Sequence, residues 1–180
     1  MGKVFIHATL TLDGFMADPQ GGVDWMFGFP TADEDGAVVA AIMDRIGAVI
    51  GGANKTQTIE EGERPYGGTL KVPVYLMTHA PHEPIENDGV RYSFVVDDIA
   101  EAVRIARAAA GDKDVSLLGG SISRQCLKLG LVDEIQLHVV PVLLGDGISL
   151  FGGLGERIKL ERIETSAFAA EVHLRYRVAR

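Results

Sequence analysis

The run Leu118-Gly119-Gly120-Ser121-Ile122-Ser123 is the part of the chain whose residue types and spacing point most directly to chemistry. It lies between Val115-Ser116-Leu117-Leu118, which reads as a short buried strand, and a segment over 121–129 that reads as a helix. Paired glycines at such a junction let the backbone turn tightly and come close to a ligand. The helix behind them offers unpaired N–H groups and the positive end of its dipole. Together these make an anion site, whose usual occupant is a dinucleotide pyrophosphate, although the same residues also make an ordinary tight turn.

Other groups that could do chemistry are scattered. Asp13-Gly14 is a turn signal with a carboxylate in it. His79 and His82 are spaced three apart, but Pro81 disfavours a helix there, and no nearby cysteine or carboxylate set completes a metal site, so no metal is expected. His7, His138 and His173 read as strand residues. No Ser-His-Asp order supports a hydrolase. The single cysteine, Cys126, sits among Leu127 and Leu129 in the late helix and reads as a small buried hydrophobe.

The elements that must position these groups alternate. A strand is expected over 4–12, then a Gly/Pro-containing loop over 17–22 and the large apolar groups Trp25, Met26 and Phe27 in irregular chain. A helix over 33–45 follows, with Thr31 as its cap, Asp33-Glu34-Asp35 complementing its dipole, and Val38, Val39, Ile42, Met43 and Ile46 at helical spacing. Strands are expected over 48–50, 72–77 and 92–96, and then a helix capped by Asp97 or Asp98 and running to Ala110. Beyond the Gly-Gly junction come a strand over 134–143 and a pair over 158–164 and 171–178. In the last of these Val172, Leu174, Tyr176 and Val178 alternate with His173, Arg175 and Arg177. Strands alternating with helices imply a mainly parallel sheet covered on both faces, and the alternating tail implies antiparallel strands.

One domain spanning 1–180 is expected from the length, and the 47% hydrophobic content suits a globular core. The net charge of −8 argues against general affinity for nucleic acid or anionic membrane. The start of the chain reads as strand rather than as a signal peptide, and no apolar run approaches a membrane span, so a cytoplasmic protein is the expectation.

In this order and spacing the motifs resemble a known family. They are Thr9-Leu10-Thr11-Leu12-Asp13-Gly14-Phe15-Met16-Ala17, Asp24-Trp25, Gly51, Thr78-His79, Gly119-Gly120-Ser121, and Gly130-Leu131-Val132-Asp133-Glu134-Ile135 leading into Pro141-Val142-Leu143-Leu144-Gly145-Asp146-Gly147 with Leu150-Phe151. The chain resembles the dihydrofolate reductase-like fold over nearly its whole length, and within it the reductase domain of bacterial riboflavin biosynthesis and its stand-alone relatives.

The resemblance implies a three-layer αβα domain with a mainly parallel central sheet and antiparallel C-terminal strands. It implies an NADPH-dependent reductase that transfers a hydride to a small heterocycle (a pterin, a folate or a ribosyl-pyrimidine-like ring) and a homodimer. By the same resemblance Thr9, Met16 and Ala17 would hold the nicotinamide, Gly119, Gly120, Ser121 and Ile122 the pyrophosphate, and Thr78 and His79 the adenosine end. Gly51, Gly52, Asn54, Lys55 and Thr56 would form a second phosphate contact, although Gly52 stands where relatives carry Arg. Lys55 could replace that charge only as a flexible point charge. Asp35 falls near the position of the substrate-pocket carboxylate, with Trp25 and Phe27 expected to bury it and raise its pKa. Two other readings stay open. One is the same fold acting on a different acceptor; the other is a non-catalytic nucleotide-binding or regulatory protein, for which the missing Arg is the best support.

Overall fold

A computed structural model describes residues 2–53 and 65–179. In chain order its elements are β1 (Val4–Thr11), β2 (Phe15–Ala17), α1 (Asp33–Arg45), β3 (Ile46–Gly52), β4 (Val74–Thr78), β5 (Ile85–Asn87), β6 (Val90–Val96), α2 (Ile99–Ala110), β7 (Asp114–Leu117), α3 (Gly120–Lys128), β8 (Glu134–Val140), β9 (Ile148–Ser149), β10 (Leu160–Ala167) and β11 (Val172–Val178). A nine-stranded sheet runs β10-β11-β8-β1-β7-β3-β4-β6-β5. Its centre, from β8 to β6, is parallel, and β11, β10 and β5 are antiparallel to their neighbours. A mainly parallel centre with antiparallel C-terminal strands is the arrangement that the resemblance implies.

β1 lies between β7 and β8, so both its faces must be covered. Val4, Ile6 and Leu10 point to one side and pack with Ala102, Val103 and Ala106 of α2 and with Ile122, Cys126 and Leu127 of α3. Phe5 points to the other and packs with Ile42 of α1 and with Val49, Val74, Leu76 and Tyr92. That second face, under α1, is polar over much of its area: His138, Gln136 and Glu134 of β8, His173 of β11 and Ser116 of β7 are all buried.

Element boundaries follow local chemistry. α1 spans the expected residues, but its cap is Ala32 rather than Thr31, because the Asp35 carboxylate turns back to accept the Ala32 N–H at 2.7 Å. Asp98 caps α2 by accepting the Glu101 N–H. The strand expected over 134–143 ends at Val140, before Pro141, which has no N–H for a ladder. The short strands β2 and β9 pair with each other, and there Gly147 is required: a Cβ would lie 2.4 Å from the Ala17 carbonyl oxygen. No helix among the described residues is long and apolar enough to cross a membrane.

The N-terminal ends of the central strands carry a charge network. Buried Glu134 accepts Nε and Nη2 of Arg175 at 3.0 and 2.9 Å and Arg45 Nη2 at 3.3 Å, and pairs with Lys3. Burial alone would raise its carboxyl, but Lys3 and Arg175 outweigh that and hold it below the usual range. Arg45 also donates to Asp114 Oδ2 at 2.9 and 2.6 Å. Removing this centre with Glu134→Ala is expected to cost about 2–3 kcal/mol in a urea titration. That is less than for a fully buried pair, because Arg45 and Arg175 keep about a quarter of their side-chain surface exposed.

Candidate functional site

A large cavity, about 640 Å³, opens at the C-terminal ends of β1, β3 and β7. Its size is that of a cofactor or drug-like ligand site, and its place in the sheet is where open α/β folds bind ligands. The apolar side is supplied by Met16, Val23, Met26, Leu76, Leu118 and Leu150.

The polar side is built by α3. Gly119 precedes the helix with φ +88°, a left-handed value that suits glycine, and no side chain caps the helix. Gly120, Ser121, Ile122 and Ser123 all line the cavity. The buried Ser123 hydroxyl, too, has no hydrogen-bond partner among the described residues. Gly120 leaves no room to spare, since a Cβ there would meet the Ser149 and Leu150 carbonyl oxygens at 3.1 and 3.3 Å. Arg124 donates to those same carbonyls at 2.9 and 3.1 Å and so fixes the wall opposite the helix end. Asp13 fastens another part of the rim: it accepts the Thr11 hydroxyl and the N–H groups of Leu144 and Gly145. The Thr11 hydroxyl and then the Gly145 N–H hold its carboxyl below the usual range, and it stands outside the cavity as a loop fastener.

The expected site residues divide into groups. Thr9, Met16, Gly51, Gly52, Gly119, Gly120, Ser121 and Ile122 come together around the cavity. Asn54, Lys55 and Thr56 lie outside the described residues. Ala17 is buried in β2 and does not line the cavity. Neither Thr78 nor His79 lines it: the Thr78 hydroxyl folds onto Ala80, and His79 is almost fully exposed beside Asp97. The loop after β2 reaches the cavity through Val23 and Met26 rather than through Trp25 and Phe27. The 3₁₀ turn Asp24–Met26 separates successive side chains by about a third of a turn, which turns Met26 inward while Phe27, just beyond it, is 73% exposed.

Asp35 departs further from expectation. It is buried, but by β11 and not by Trp25 or Phe27, and it does not line the large cavity. The Ala32 N–H and then His173 stabilise its charged form, so its pKa is lowered rather than raised.

The bond from His173 to Asp35 is one end of a chain of contacts. His173 Nε2 lies 2.8 Å from Asp35 Oδ1, and His173 Nδ1 lies 2.6 Å from His138 Nδ1. His138 Nε2 lies 2.8 Å from His7 Nε2, and His7 Nδ1 lies 3.0 Å from the Tyr66 hydroxyl. Tyr66 in turn lies 2.7 Å from Ser116 Oγ. His7 lines the large cavity, whereas His173 lines a separate cavity of about 170 Å³ beneath α1. Burial and then Arg45 push His7 down to about 4. Burial, followed by the neighbouring imidazoles, pushes His138 down to about 3. Burial pushes the Tyr66 phenol up to about 12. Reading the histidines one strand at a time missed this cluster; the available signal was that each falls on the polar alternation of its strand.

His138, Glu171 and His173 also bring potential metal-ligand atoms within 4.8 Å of one another. The 2.6 Å approach of the two Nδ1 atoms is a hydrogen-bond distance. Two imidazole nitrogens sharing one tetrahedral ion at ~2.0–2.1 Å would stand roughly 3.3 Å apart.

The comparisons with known proteins agree with this fold. The RibD C-terminal domain model matches residues 2–174, and the chain belongs to that family. It is 29% identical to the uncharacterized protein YyaP of Bacillus subtilis (strain 168), over 94% of this chain and 91% of that one. A structure from Shewanella sp. PV-4, of a protein named for riboflavin biosynthesis, superposes with a TM-score of 0.81 at 23% identity over 99% of both chains. Dihydrofolate reductase from Enterococcus faecalis, solved with NADP(H), superposes with a TM-score of 0.62 at 13% identity over 99% of this chain and 98% of that one.

The depressed imidazoles set a pH dependence of stability. Unfolding returns His7 and His138 to the ordinary imidazole value of 6.5, so the unfolded chain takes up protons that the folded chain refuses. Their contribution is complete above that value and shrinks as pH falls toward the folded values. Urea unfolding is expected to lose on the order of 2–4 kcal/mol between about pH 6.5 and pH 5, and a flat profile would contradict the burial described.

Proposed function

We propose that this member of the RibD C-terminal domain family is a reductase that binds NADPH in the large cavity and reduces a small heterocycle such as a pterin, a folate or a ribosyl-pyrimidine-like ring. The observation that carries the reading is the uncapped N-terminus of α3, with the partnerless Ser123 hydroxyl beside it, facing a cavity that reaches β1. Orphan N–H donors and a buried hydroxyl call for an anionic oxygen ligand, and a phosphate group satisfies both. Gly119, Gly120, Ser121 and Ser123 would hold the pyrophosphate; Thr9 and Met16, at the β1 end, would hold the nicotinamide. The bound cofactor supplies the hydride. The chain itself contributes an apolar wall of Met16, Val23 and Met26 that excludes water from the reacting ring. The solved relative with NADP(H) supports the choice of cofactor class.

Gly52 favours a second reading, a nucleotide-binding protein without turnover, because it contributes no cationic side chain. A Cβ at Gly52 would meet nothing within 4 Å among the described residues. Titration of NADPH against the protein, followed by energy transfer from Trp25 to the reduced nicotinamide, tests both readings. Binding in the micromolar range is expected. Gly120→Val, which drives a side chain into the Ser149 and Leu150 carbonyls, should weaken it roughly tenfold or more, and Gly52→Arg should tighten it by about tenfold, ~1.4 kcal/mol. Absence of binding at millimolar NADPH would overturn the reading, and binding without oxidation across a panel of pterins, folates and aminopyrimidines would favour the second.

A further inference from the structure

The geometry points to a proton wire formed by Asp35, His173, His138 and His7, which passes one proton between the small cavity beneath α1 and the large cavity at the ends of the central strands. The argument begins with hydrogen-bond capacity. A neutral imidazole has one donor and one acceptor nitrogen. Here both nitrogens of all three rings are engaged, at 2.6 to 3.0 Å, in contacts that run in series. Only two polarities satisfy such a series. In the first, Tyr66 Oη–H donates to His7 Nδ1, His7 Nε2–H to His138 Nε2, His138 Nδ1–H to His173 Nδ1, and His173 Nε2–H to the Asp35 carboxylate. In the second, every bond between the imidazoles runs the other way.

One added proton converts the first into the second. Taken up by the His173–Asp35 pair, it leaves His173 donating from both nitrogens. His138 then accepts at Nδ1 and donates from Nε2, His7 accepts at Nε2 and donates from Nδ1, and the Tyr66 oxygen becomes an acceptor whose own proton turns to Ser116 Oγ. When an anionic acceptor in the large cavity, which His7 lines, takes the His7 Nδ1 proton in place of the Tyr66 oxygen, His7 Nε2 takes the His138 Nε2 proton. The same step then repeats back along the chain until His173 has given up the added proton. The net change is one proton in at the His173–Asp35 pair and one out at His7, with no bond broken between heavy atoms and no electron transferred.

Two further observations support this direction. The middle ring, His138, is 2% exposed and lines neither cavity, while the rings on its two sides each line one. The groups facing the outer end are Glu171 beside His173, and Glu164, Arg45 and Arg175 around the small cavity; those facing the inner end are Tyr66, Ser116 and Arg45. Carboxylates thus collect protons at the outer end. Burial holds the inner rings neutral, so that a proton passes through them without resting there. The inference leans on the proposed reductase only for what consumes the proton: a ring that accepts a hydride becomes an anion and needs one.

The test uses the full chain, free of ligand, with 15N-labelled imidazoles, and reads by NMR which ring nitrogens carry hydrogen. Wild type at neutral pH should show N–H at His7 Nε2, His138 Nδ1 and His173 Nε2. Asp35→Asn supplies the decisive change. The Ala32 N–H, 2.7 Å from Asp35 Oδ2, requires the amide oxygen, which turns the amide NH2 toward His173 Nε2. That nitrogen must then accept, and the tautomers of all three histidines should reverse, His7 included, although it never touches residue 35. In the His138→Phe background the same substitution should leave His7 unchanged. Should that background fail to fold, His138→Leu, which likewise has no donor or acceptor, serves in its place. A His7 tautomer indifferent to Asp35→Asn would overturn the wire. So would stoichiometric zinc retained by the purified protein with loss of the His138 and His173 Nδ1–H signals. Because no cofactor is present, these outcomes are separate from the NADPH titration: reversal without NADPH binding keeps the wire and removes the reductase, and the opposite pair does the reverse.

Discussion

The arrangement depends on a requirement for complete pairing. Polar side chains on one face of the central sheet are sealed under α1, where an unpaired nitrogen or oxygen would cost about 1–3 kcal/mol. Strand register meets the requirement. His138 stands opposite Thr9 on one side and His173 on the other, and His7 sits two residues along β1 on the same face. A slip of one residue in β8 would turn His138 into the apolar layer and strand both of its neighbours. The same alternation puts Val4, Ile6 and Leu10 into contact with α2 and α3, so the chemistry of one face and the stability of the other come from a single register.

The fold distributes its polar groups along the strand direction as well. The N-terminal strand ends carry the network around Glu134 and Asp114, the middle carries the imidazoles, and the C-terminal ends open into the cavity. Arg45 belongs to the first group yet depresses His7 in the second, which links the anchoring of α1 to the electrostatics of the site. Asp35 makes a comparable link at the other end of α1, tying the first turn of the helix to β11.

Much of the fold was legible in the sequence because it rests on local signals. Helical spacing in 33–45 gives α1, the Gly119-Gly120 junction gives the start of α3, and alternation in 172–178 gives β11. Strands as short as β5 and β9 carry too few residues for any period to be read. The cavity residues that resemblance supplied lie in or next to the strand ends and the Gly119-Gly120 junction, where the backbone path alone places them. Those it misplaced, Trp25, Phe27 and Asp35, depend on where a loop side chain turns or on a partner far along the chain. Asp35 meets His173 across 138 positions and His7 meets His138 across 131, and no local pattern encodes a contact of that kind.

Stability gives no reason for this polar row. A buried pair or network of polar groups is commonly matched or bettered by apolar residues of the same volume, and the opposite face of β1 achieves its packing with the apolar Val4, Ile6, Ala8 and Leu10. The row also carries a stability cost that grows as pH falls, because His7 and His138 lose proton affinity on folding. Nor does anchoring α1 require it, since Arg45 with Asp114 and Phe5 with Ile42 already fasten that helix. What the imidazoles provide that an apolar core cannot is a continuous set of exchangeable hydrogens between two cavities, each held in a defined tautomer by the next. Their position on the sheet is therefore best explained by movement of a proton, and the bond between Asp35 and His173 is where the polarity of that movement is set.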